Sequence, residues 1–99
     1  MPRFSVFKNP DGAGYLLDVQ ADLLDHLNTR VVVPLLPLNV APVPAKSLNP
    51  VFEVEGEAVA MVTQFLAAVP AHMLKTAVAN FEGRRHDITN ALDLLFQGF

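Results

Sequence analysis

The side chains able to do acid–base, nucleophilic or metal chemistry are few and scattered. The histidines are His26, His72 and His86, and there is no cysteine. Without thiolates a metal site would need these histidines together with carboxylates, and no spacing among them matches a ligand pattern. Asp22 with Asp25 forms one carboxylate group, and Glu53, Glu55 and Glu57 form another. The glutamates fall on the outward face of a predicted hairpin, where their ordinary task is to solvate a sheet. Ser5 and Ser47 are the only serines, and neither sits in a nucleophile setting. The segment Asn9 to Gly14 reads as a turn rather than a phosphate-cradling loop. An RNA-cleaving site needs only an acid, a base and a cation. Arg30 with His72 or His86 and a carboxylate could supply them, although no spacing brings these residues together. No cofactor site is legible.

The composition points to contact rather than chemistry. The 99 residues are enough for one domain, 1–99, and leave no room for a second core. At 52% hydrophobic and 17% charged, the chain is more apolar and less charged than an average soluble domain, which favours an apolar interface, most simply in an oligomer. The net charge is −3 and the basic residues are dispersed, which argues against direct binding to a nucleic-acid backbone. The absence of cysteine excludes disulfides and thiolate catalysis. Neither a signal peptide nor an apolar run of the ~18 residues that span a bilayer is visible, so the expected location is the cytoplasm.

The elements that must position any site are mostly strands. Arg3 to Phe7 alternates as a first strand, and a cluster of turn residues from Lys8 to Gly14 leads into Tyr15–Val19, apolar on both faces, as its hairpin partner. Gln20 to Asn28 carries Leu23 and Leu24 between Asp22 and Asp25 and reads as a turn or helical loop. Thr29 to Leu36 contains three consecutive valines, which are stiff at χ1 and favour pleated backbone. Pro34 lacks a ladder donor and marks an edge, a bulge or a corner. Prolines 37, 42, 44 and 50 make the next segment a long extended loop.

Val51–Glu55 and Glu57–Thr63 alternate as a second hairpin about Gly56. Phe65–Val69 reads as a further strand stopped by Pro70. Ala71 to Phe81 stays open between helix, by propensity, and extended chain, by context. The final helix starts at Glu82 or Gly83. Ile88, Ala91, Leu92, Leu95 and Phe99 fall on one stripe, Leu94 lies off it, and Gly98 suits the helix end. With Leu94 off the stripe a single core cannot bury every apolar position, and an aromatic Phe99 beyond the helix needs its own core, a second subunit or another protein against it.

Four segments carry a resemblance that runs from end to end. Asp18–Asp25 (DVQADLLD), Arg30–Leu35 (RVVVPL), Ala68–Pro70 (AVP) and Asp87–Phe99 (DITNALDLLFQGF), in this order, resemble the CcdB toxins of bacterial toxin–antitoxin modules. The resemblance implies a mainly β (α+β) fold, an SH3-like antiparallel β-barrel with a small accessory sheet and a C-terminal α-helix. It also implies a homodimer that needs no cofactor and no catalysis. Such toxins insert their paired C-terminal ends between the A subunits of DNA gyrase and trap the enzyme on cleaved DNA. A cognate antitoxin, whose disordered tail folds on binding, removes them, and the toxin–antitoxin complex represses its own operon.

Mapped onto this chain, the family's gyrase-binding surface falls on Leu23, Leu24, Asp93, Phe96, Gln97, Gly98 and Phe99, with Leu94 and Leu95 helping to join the subunits. Leu23 and Leu24 stand for a pair of isoleucines, Asp93 for an asparagine, Gln97 for a tryptophan and Phe99 for a terminal isoleucine. Loss of an aromatic anchor can weaken an interface by ~2 kcal/mol or more, over tenfold in affinity. Two other readings keep the fold: an endoribonuclease toxin, or a homologue that binds its antitoxin and autoregulates without poisoning gyrase.

Overall fold

The computed structural model describes residues 2–98. Seven strands, β1 (Ser5–Lys8), β2 (Tyr15–Asp18), β3 (Thr29–Pro37), β4 (Val51–Val54), β5 (Glu57–Met61), β6 (Ala67–Pro70) and β7 (Ala77–Asn80), form one antiparallel sheet. Among the described residues a single α-helix, α1 (Arg85–Gln97), follows them. The strand order is β4-β5-β3-β2-β1-β7, with β6 also on β3. The sheet curls into a half-barrel closed over by the helix, the expected α+β barrel-like fold. The small accessory part is the β4–β5 hairpin, continuous with the main sheet through β3.

Strand β3 organises the sheet, and its proline shows how. Its first half, Thr29–Val32, pairs with β6 and its last residues, Leu35–Pro37, pair with β5, while β2 lies along the other side at Val32–Leu35. Pro34 stands between the two spans, where the chain changes partner and a missing donor does least harm. Its carbonyl still accepts from the Val62 N–H (2.9 Å).

Period-two alternation then sorts the side chains onto two faces. Tyr15, Leu17, Val33 and Leu35 point inward with Val6, Phe52, Val54, Val59 and Met61, and α1 covers them with Ile88 and Ala91. On the opposite face Leu16, Val32 and Phe7 are covered by Leu74. Strand β2 is therefore buried on both sides, as its unbroken apolar character requires.

The structure corrects several boundaries. The first strand begins at Ser5 rather than Arg3, because Phe4 turns into the left-handed region (φ 70°) while its N–H donates to the Asp18 carbonyl (2.7 Å). Pro2 closes that turn by accepting from the Ser5 N–H and hydroxyl. Thr63–Phe65 is a 3₁₀ turn, so the strand expected from Phe65 begins at Ala67. The open segment divides into a 3₁₀ turn at Ala71–Met73 and the edge strand β7, paired to β1. The second hairpin turns on Glu55–Gly56, both with positive φ (51° and 81°), the geometry that matches strand twist in a two-residue loop. A 3₁₀ turn at Glu82–Arg84 precedes α1, and the Asn80 side chain accepts from its first N–H, Glu82 (2.8 Å).

Candidate functional site

Two exposed apolar groups stand where the sequence places a contact surface. The first is the loop between β2 and β3. Leu23 is 86% exposed and Leu24 42% exposed, in a 3₁₀ turn spanning Asp22–Leu24. The loop is held on several sides. The Arg3 N–H donates to Asp22 Oδ1 (2.8 Å), and Gln20 Nε2 donates to the Leu24 carbonyl (3.0 Å). The same Gln20 side chain accepts from the Val31 N–H (3.0 Å), which ties the loop to β3. Ala21 and Asp22 border an open groove that is also lined by β7, by Glu82 of the 3₁₀ turn before α1 and by Arg85 at the start of α1.

Beneath the loop lies a buried charge group. Arg30 is 1% exposed; its Nε and Nη2 both donate to Asp18 Oδ2 (2.9 and 2.6 Å), and its Nη1 donates to Asp25 Oδ1 (2.9 Å). Asp18 also accepts from the Gln20 N–H at its other oxygen (3.0 Å). Burial pushes the Asp18 carboxyl above its ordinary value, and the bonds from Arg30 and the Gln20 N–H pull against that rise. The expected cation of an RNA-cleaving site is therefore withdrawn from solvent. Arg30 is committed to Asp18 and Asp25, while His72 and His86 lie exposed on other elements. Its burial follows from strand register. Asp18 and Arg30 fall on the face of the sheet that carries Leu16 and Val32, and their opposite charges and mutual hydrogen bonds make their burial tolerable. A single acid at the end of β2 and a single base near the start of β3 were the signal in the sequence.

The second group is the last turn of α1. The helix buries Ile88 and Ala91, packs Leu92 against the core, and leaves Leu94 and Leu95 half-buried. Phe96 is 69% exposed, and Asp93, Gln97 and Gly98 are exposed beside it. Gly98 takes the left-handed conformation (φ 80°) and donates its N–H to the Leu94 carbonyl (3.0 Å), a helix end that only glycine adopts without strain. Asp93 and Gln97 are brought together, the amide Nε2 donating to Oδ1 at 3.4 Å. Phe99 lies outside the described residues.

A chain with these elements matches the model of the family described as CcdB protein over residues 3–98. The chain belongs to the CcdB family. Membership carries the role of a toxin in a toxin–antitoxin module. The CcdB fold here presents no group of three or more His, Cys, Asp or Glu among the described residues that could hold a metal ion. No helix among them is long and apolar enough to cross a membrane. Glu55, expected only to solvate the sheet, instead accepts from the hydroxyl of Tyr15 (2.9 Å) and ties the β4–β5 turn to β2.

Proposed function

We propose that this CcdB-family chain poisons DNA gyrase as a cytoplasmic homodimer: it binds the A subunit and traps the enzyme on cleaved DNA without catalysis of its own. A cognate antitoxin reverses this, and operator DNA is engaged only through the toxin–antitoxin complex. The observation that carries the reading is the exposure of Leu23 and Phe96. Both are large apolar side chains at positions mapped to the partner surface, and both are held in water by ordered elements. Exposing such a side chain forgoes roughly 1.5–3 kcal/mol of burial, which a partner's surface would recover.

The test is a pull-down of bacterial gyrase A subunit with the intact chain and with one ending at Phe96, alongside an assay for trapped cleavage complexes. The intact chain should bind and trap, and the chain lacking Gln97 to Phe99 should do neither. An intact chain that neither binds nor traps sinks the poison reading. The Gln97–Asp93 contact supports a second reading, in which the two polar groups satisfy each other and the chain only binds antitoxin and autoregulates. Tight antitoxin binding with no effect on growth would mark that case.

A further inference from the structure

We infer that Asp18, Arg30 and Asp25 form a clamp that sets the pose in which the Leu23–Leu24 loop meets its partner, with Asp25 as the positioning residue; the partner half of this inference rests on the gyrase reading above. Asp18 and Arg30 are anchored in the sheet and fully buried, so the guanidinium cannot shift. Its remaining nitrogen, Nη1, reaches out of the sheet to a carboxylate that belongs to the loop itself, one residue past Leu24. That carboxylate is half in water (54% exposed), so it is not needed to neutralise the core; Asp18 already does that. What it does is fix the end of the 3₁₀ turn, where the Asp25 N–H donates to the Asp22 carbonyl and the Leu27 N–H to the Leu24 carbonyl. Gln20 fixes the same turn from the other side through the Leu24 carbonyl. The backbone that carries the leucines is thus fixed while their side chains face solvent. An interface gains affinity when the ordering of a contact loop precedes binding rather than accompanying it.

The experiment compares the full chain with Asp25→Ala, Asp25→Glu and Leu23→Ala in three measurements: thermal midpoint, amide hydrogen exchange, and affinity for the gyrase A subunit. Asp25→Ala is expected to leave the midpoint nearly unchanged, because water replaces the half-exposed carboxylate at Nη1. It should speed exchange of the Asp25 and Leu27 amides and weaken binding about tenfold, the scale of ordering a few interface side chains. Asp25→Glu should restore part of both. Leu23→Ala should weaken binding with exchange unchanged, which separates contact from positioning. Wild-type exchange in Asp25→Ala overturns the clamp, as does undiminished binding of Asp25→Ala beside a weakened Leu23→Ala. If the wild-type chain does not bind gyrase A at all, the functional reading fails instead, and the exchange rates still decide whether the clamp exists.

Discussion

Tyr15 is the only tyrosine of the chain, and there is no tryptophan, so its ionisation can be followed alone. Burial raises its pKa above 10.0, and the hydrogen bond to Glu55 with the negative charges of Glu55 and Glu57 raises it further. A phenol whose folded pKa exceeds its unfolded value contributes stability that is fully present below pH 10 and is lost as pH rises through the folded value. Absorbance titration should give a tyrosinate midpoint above that of the urea-unfolded chain, and Glu55→Gln should lower it; a folded midpoint at or below the unfolded one would contradict the geometry. Gln97 gives the second residue-scale prediction. It is exposed, so a larger ring there meets no core. Gln97→Trp should strengthen binding to the gyrase A subunit by about tenfold or more, the worth of an aromatic anchor, measured by titration of the two variants in parallel.

The hairpins are where local sequence was most informative, and Gly14 shows why. It closes the β1–β2 loop with φ 83°, its carbonyl accepts from the Asn9 N–H, and a Cβ there would collide with the Leu35 carbonyl oxygen. Gly14→Ala should therefore cost several kcal/mol, strain and overpacking together, visible as a drop in the urea midpoint far larger than that of Gly83→Ala, whose surroundings are open. Turn residues, valine runs and the helical stripe of Ile88, Ala91 and Leu92 are local signals, and the corresponding elements lie close to where those signals put them. β7 was hidden because its four residues (Ala77–Asn80) choose extended backbone only to pair with β1, a decision made by a strand some seventy residues away. The strand expected from Phe65 starts two residues late, at Ala67, for the converse reason: Thr63 is buried and donates its hydroxyl to the Leu48 carbonyl, which favours a turn over continued pairing. Of the candidate surface, exposed leucines between aspartates and the glycine helix end were legible. The buried Arg30 beneath the loop left only a faint trace, the lone acid of β2 and the lone base of β3, since its burial depends on their register.

At the scale of the whole molecule, the protomer exposes 5640 Å², close to the roughly 5,500 Å² expected of a monomer of its mass. Its shape is thus ordinary, and any case for association lies in which groups are exposed. Leu94 and Leu95 are half-buried by their own chain and Phe96 hardly at all, spread around the last turn of α1 rather than along one face. A two-fold pairing through the end of α1 that covered the off-stripe Leu94 of both protomers would set the two Phe96–Gly98 ends near each other, as the poison reading requires. A folded state that requires dimerisation gains about 1.4 kcal/mol for each tenfold rise in concentration, a shift of roughly 3–5 °C in thermal midpoint. Sedimentation should therefore give about twice 10.8 kDa, and the midpoint should climb with concentration. Leu94→Lys, checked for retained helix by circular dichroism, should move the sedimentation toward the monomer and flatten that climb. A monomeric mass with a midpoint indifferent to concentration would remove the homodimer, and with it the paired ends on which gyrase insertion depends.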